Sequence, residues 1–346
     1  MLFRNYTPFP HVLFESCDPQ GKDFGVLVLR GTFQIIPNQP LKALEKQEPV
    51  VTGDQYFGEP DSSSIWMETN LAPYKPKSDI HINAIAHAPG GTALERWNAS
   101  VQVGKISKSF QVTGPRNYHR NLGSWQLERP SPTLQVPIRY EQAYGGQFTE
   151  NDEVKAHLEN LIGIGYYGGE QLKEKTLPAP QIVSLEDSDP PINKAIKVEG
   201  LGPISPAWSP RPDYAGTYDD RWLNNVWPNL PSDFEFEFWN SAHPDLIYPE
   251  FLKGDETVTL RHLTKERELL FSLPDFQLGT LCRFLDGQLM PIPMQLDTLH
   301  LEIPQMTAYL TWRGVYPTSR PLRVLEARME VPEHLKVEEE PKLTPA

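Results

Sequence analysis

Proline interrupts this chain 35 times in 346 residues, and 23 glycines add further breaks. Each proline fixes its own φ and removes an amide donor, so a chain interrupted at about twice the ordinary rate cannot propagate long helices. Short strands joined by rigid turns are what it can form. The expected fold is mainly β, an antiparallel sandwich or barrel-like set of sheets with a few short helices.

Core material is ample. Eight tryptophans, 13 tyrosines and 15 phenylalanines within a 39% hydrophobic composition supply the apolar area that a folded protein needs. A net charge of −13 repels phosphate backbones and anionic lipid heads, so neither nucleic acid nor a membrane surface is an expected partner. Cys17 and Cys282 are too few for a disulfide framework or a thiolate zinc site, which fits a reducing cytoplasm. Met1–Pro8 lacks the basic stretch and apolar run of a signal peptide, and no run of eighteen apolar residues follows anywhere.

Strand patterns dominate the first third. Phe24–Ile36 is β-branched and apolar throughout, and Asp79–Ala88 alternates, with Ile80, Ile82, Ala84 and Ala86 on one face. Ala99–Val112 reads as a hairpin about Gly104-Lys105. Residues 116–212 are loosened by prolines, with one helical pattern over Asp152–Leu161, where Val154, Leu158 and Leu161 share a face. A better-marked helix begins at Thr217 or Asp219, carries Trp222, Leu223, Val226 and Trp227 as an apolar stripe, and ends at Pro228.

The last third returns to strands. Thr257–Leu263 and Glu268–Leu273 flank a turn, Leu281–Leu285 runs into Asp286-Gly287, and Leu296–Ile303 pairs with Thr307–Val315 across Pro304-Gln305. This organisation predicts one domain over residues 1–330, built of two packed β subdomains (about 1–145 and 195–330) joined by the Pro/Gly-rich middle. Residues 331–346 are acidic and poor in aromatics, as in a solvated tail.

Motifs for chemistry are weak. Gly163, Gly165 and Gly168 match a dinucleotide-binding pattern by letter, with Glu186 beyond, but no strand precedes them and no helix follows, so no cofactor is expected. His81 and His87 share a strand face but lie about 20 Å apart, too far for one metal. His300 and Glu302 have no third ligand nearby in sequence and read as surface polar residues. Paired acids at Glu186-Asp187 and Asp219-Asp220 read as solvated surface or caps. No catalytic residue and no metal site is assigned.

The densest aromatic stretch runs from Trp222 to Trp239 and holds Trp227, Phe234, Phe236 and Phe238 between them. Large rigid side chains gain contact area at little entropic cost, so this stretch serves either a core or a partner interface. Phe234, Phe236 and Phe238 would share one side of a strand. Trp222, Trp227, Phe234, Phe238 and Trp239 are the candidate partner-binding residues.

Here the sequence resembles a family of uncharacterised-domain proteins encoded beside PAAR-repeat tips and pentapeptide-repeat proteins in bacterial type VI secretion clusters. The resemblance rests on Ala215-Gly216-Thr217-Tyr218-Asp219-Asp220-Arg221-Trp222, Trp227-Pro228, Leu230-Pro231-Ser232-Asp233-Phe234 and Asn240-Ser241-Ala242-His243-Pro244-Asp245. Similar segments occur at Gly25–Ile35, His87–Gly91, Pro137–Gly146 (ending in Tyr144-Gly145-Gly146), Gly254–Glu256 and Trp312–Gly314, so the likeness extends over about residues 10–316. Leu161 stands where that family usually has proline, and Trp239 replaces an asparagine-like position.

The resemblance implies a cytoplasmic adaptor or chaperone with no reaction of its own. Such a protein holds a secreted effector, or its PAAR-bearing end, until it joins the spike. The rival readings are an enzyme, a glycan hydrolase or toxin, and a permanent structural component of the secretion apparatus.

Overall fold

A computed structural model describes residues 1–329, so the expected tail at 331–346 lies outside the described residues. The fold is mainly β. Its largest sheet has seven strands, six of them in the order His11–Cys17, Asp23–Gln34, Thr307–Pro317, Gln295–Glu302, Ser78–Asn83 and Ile247–Tyr248, with Lys42–Ala43 beside the second. The continuous apolar run at Phe24 explains why Asp23–Gln34 is interior: every residue from Phe24 to Phe33 is buried.

Two smaller sheets close on the same core. A five-stranded sheet contains the Arg96–Val103 and Ile106–Thr113 hairpin beside the Thr257–Arg261 and Glu268–Ser272 hairpin. A four-stranded sheet runs Leu2–Asn5, Leu322–Arg328, Gly279–Phe284, Leu289–Pro293. Leu29, Phe33, Ile80, Leu310 and Trp312 of the large sheet, Val101, Phe110 and Leu260 of the second, and Cys282, Phe284 and Leu325 of the third all belong to one buried cluster. Strands from both ends of the chain pair directly, as Asp23–Gln34 does with Thr307–Pro317 and Leu2–Asn5 with Leu322–Arg328.

The hairpins read from the sequence form as expected about Gly104-Lys105, Asp286-Gly287 and Pro304-Gln305. The sheets are open, and the seven-stranded and four-stranded sheets are mixed, because Leu2–Asn5 runs parallel to Leu322–Arg328 and Ser78–Asn83 runs parallel to Gln295–Glu302. None of the sheets among the described residues closes into a barrel.

Three local expectations are corrected. Asp152–Leu161 is not a helix: Asn151 and Asp152 both adopt left-handed backbone conformations, at φ 52° and 63°, and turn the chain into a hairpin of Gln147–Glu150 with Glu153–Ala156. Val154 and Leu158 are exposed, so the apolar spacing there has nothing to pack against. Asp79–Ala88 is two strands, Ser78–Asn83 in the large sheet and Ile85–His87 against Gln135–Pro137. Phe234, Phe236 and Phe238 do not share a strand, because Phe236–Trp239 forms a 3-10 turn.

Candidate binding surface

The site is assembled on the second face of the large sheet. Residues Phe24, Val26 and Val28 on one part of that face pack against Phe234 and Phe236. The rest of the face is polar and still buried, an arrangement set by register. Arg30, Thr311, Thr298 and Asp79 form one cross-strand row, and Thr32, Tyr309, His300 and His81 form the next. Glu302 and Asn83 are also partners across strands, and the Glu302 carboxylate accepts bonds from Asn83 Nδ2 at 2.9 Å and Trp66 Nε1 at 2.6 Å. His300 and Glu302 are therefore interior residues, not the surface pair the sequence suggested. His81 is interior too, whereas His87 sits on another strand, so the two histidines never meet.

This polar layer holds the segment from Arg211 to Leu246 in place. Asp79 accepts Asn240 Nδ2 and the Ser241 amide, each at 3.0 Å, and Lys75 Nζ lies 2.7 Å away. The Ser241 hydroxyl meets His81 Nε2 at 3.0 Å. Arg211 donates to the Ile204 and Phe238 carbonyls and lies 3.4 Å from Glu68. A second buried knot joins Lys108 to Glu199, with Asp245 at 3.0 Å and His243 beside it. The motif residues Asn240 to Asp245 are thus the pins that fasten one loop to two sheets.

Electrostatics follow from burial. Desolvation pushes the His81 imidazole down to about 3, against the pull of Asp79 and Glu68, and desolvation with Lys108 pushes His243 down to about 3. Burial alone would raise the Asp79 and Glu68 carboxyls, but Lys75, joined by Arg211 at Glu68 and by the Ser241 amide at Asp79, outweighs it and holds both below the usual range. Glu68, Asp79 and His81 bring donor atoms within 4.8 Å of one another, as do Glu199, His243 and Asp245. In each cluster a lysine ammonium, Lys75 or Lys108, already takes the cation's position.

From this base a short excursion projects. Gly216 adopts φ 78°, where a Cβ would meet Pro231 at 2.9 Å, and Asp233 accepts both the Thr217 amide and hydroxyl, at 3.0 and 2.7 Å. Asp219 caps the helix Asp220–Asn225 by accepting the Trp222 amide at 2.8 Å, and Trp222 Nε1 donates to the Asn229 carbonyl at 2.9 Å. The helix stops before Pro228, as expected, but it contributes no buried residue. Trp227 is 64% exposed, Leu223 57% and Tyr218 53%.

The candidate residues therefore separate. Trp227 and the half-exposed Trp222 belong to the projecting surface, together with Leu223 and Tyr218. Phe234 is core, and Phe238 and Trp239 are half-buried against it. Asp219, Gly216, Asp233, Pro228 and Pro231 shape the excursion. Gly145 and Gly146 serve a different contact: Asn160 is fully buried beside them and donates to the Tyr140 and Tyr144 carbonyls, and a Cβ on Gly145 would lie 2.2 Å from its carbonyl oxygen. Gly163 and Gly165 close the same knot, a close-packed turn of the backbone.

Sequence reasoning missed Glu68, Lys75, Asp79 and Arg211. The only available signal was that the Asn240–Asp245 run is too polar and too specific for an ordinary loop.

No curated protein and no solved structure matches the chain. Residues 20–313 match the model of DUF2169, described as an uncharacterized protein conserved in bacteria. That span covers the whole five-stranded sheet, most of the seven-stranded sheet, two strands of the four-stranded sheet, the polar layer and the exposed helix, and the chain belongs to the DUF2169 family.

Proposed function

We propose that this protein binds another polypeptide through the Tyr218–Trp227 excursion and releases it unchanged. The observation that carries the reading is the helix Asp220–Asn225, which buries none of its residues, so that its Leu223 and the flanking Tyr218 and Trp227 stand exposed. Apolar and aromatic side chains clustered on a rigid pedestal are what a partner's hot spots pack against. The pedestal is preorganised by Asp219, Asp233 and the Trp222–Asn229 bond, so little ordering cost falls on binding.

The partner we favour is a type VI secretion effector or its PAAR-bearing end, held in the cytoplasm before loading onto the spike. The motifs from Gly216 to Asp245 support this, since they build the pedestal and its anchors. No helix among the described residues is long and apolar enough to cross a membrane. The test is co-purification from the native cell with mass spectrometry of bound proteins, comparing the wild type with Trp222→Ala/Trp227→Ala. The expected result is a soluble variant that has lost an effector or PAAR-bearing partner. A partner retained by the soluble variant contradicts the reading.

A further inference from the structure

The outer face of the four-stranded sheet gathers arginines. Its inner face, Phe3, Leu325, Cys282 and Phe284, packs into the main core. Register places Arg4 beside Glu326 and Leu281, and Val324 beside Leu2 and Arg283, on the opposite face. Arg328 lies one repeat further along the same strand. Glu326 is only 2% exposed and is held by Arg283 at 2.8 Å and by Arg328 at 2.6 Å. With Arg323, these residues line an open groove of about 590 Å³.

Among the described residues four guanidiniums thus face a single carboxylate, in a chain of net charge −13. Arg4 and Arg323 make no ion pair among the described residues. Exposed Leu2, Leu289 and Tyr6 border the arginines, and the Arg328 guanidinium sits 4.9 Å from the Tyr6 ring. Arginine and tyrosine around an apolar floor make a recognition surface rather than a solvating one.

We propose that this face is a second interaction surface, separate from the exposed helix, and that it takes an extended acidic polypeptide segment. Arginine forks match carboxylates in a bidentate geometry, which favours glutamate and aspartate side chains. Among the described residues Leu2–Asn5 has a strand neighbour on one side only, so an extended segment can add there and present alternate side chains over Arg4. The other edge of the sheet carries Pro291 and Pro293, which lack amide donors and resist addition. A nucleic acid fits less well, because a long phosphate chain runs beyond the patch into the acidic remainder of the surface, whereas a short peptide does not.

The experiment is fluorescence anisotropy of a labelled oligoglutamate peptide with the full chain at about 0.15 M salt. The wild type binds it with an affinity that falls as salt rises. Arg4→Glu/Arg323→Glu weakens binding at least about tenfold, Arg4→Gln/Arg323→Gln weakens it in the same direction, and Trp227→Ala leaves it unchanged. Four results overturn the proposal: no binding by the wild type, equal binding by the arginine variants, equal or tighter binding of a uridine homopolymer, or peptide binding only after residues 330–346 are removed. The last would make the chain's own acidic end the occupant.

Discussion

The Asp79 carboxylate accepts the backbone amide of Ser241 at 3.0 Å, and that contact ties the central sheet to the loop bearing the exposed helix. The same carboxylate also accepts from Asn240 and pairs with the Lys75 ammonium, so one buried group serves three partners. Asp79→Ala breaks a buried ion pair, leaving Lys75 with Glu68 alone, and removes the acceptor of the buried Ser241 amide. The expected loss is about 3–5 kcal/mol of unfolding free energy, measured by urea denaturation, whereas Asp220→Ala on the exposed helix should cost under about 1 kcal/mol.

Acid should loosen the molecule before the carboxylates titrate. His81 and His243 titrate at about 3 in the folded chain, while unfolded histidine titrates near 6.5, so between those values the unfolded chain binds more protons. Stability is therefore full above pH 6.5 and falls as pH drops toward 3, by about 1.4 kcal/mol per pH unit for each histidine. Denaturation series at pH 7, 6 and 5 check the slope. A flat profile across that window would mean both imidazoles already have access to solvent.

The pedestal and the core should separate in mutants. Gly216→Ala puts a Cβ 2.9 Å from Pro231 at a left-handed backbone position, and Asp233→Ala removes both bonds to Thr217. Each should abolish partner capture while moving the global denaturation midpoint by no more than about 1 kcal/mol, because the excursion contributes little to the core. Circular dichroism together with co-purification reads both quantities.

Gly145 should behave oppositely. Its φ of 151° and the 2.2 Å approach of Asn160 leave no room for a methyl group, so Gly145→Ala should cost about 2–4 kcal/mol although it lies outside the projecting surface. Thermal denaturation of the soluble variant checks this.

How far the sequence foretold these features depended on whether their causes were local. Gly104-Lys105 and Asp286-Gly287 announce their hairpins because turn geometry selects those residues directly. The Phe24–Ile36 run announces an interior strand because both faces are apolar. The polar rows through His81, His300 and Glu302 stayed hidden for the opposite reason. Alternating polar residues read as a solvated face unless a second layer covers them, and that layer comes from Trp66–Asn70 over Glu302, Arg30 and Thr311 and from Asn240-Ser241 over Asp79 and His81, segments distant in sequence from the strands they cover. Helical spacing at Asp152–Leu161 misled because the left-handed pair Asn151-Asp152 decides the local path. The aromatic stretch divides, with Phe234 buried and Trp227 exposed, a split that depends on the local turn and cannot be read from composition.

Hydrogen exchange on the free chain and on its purified complex with the captured partner tests the central claim most directly. Amides from Tyr218 to Asn229 should exchange readily in the free chain and slow markedly in the complex. Unchanged exchange there, with protection concentrated on another surface, would contradict the account.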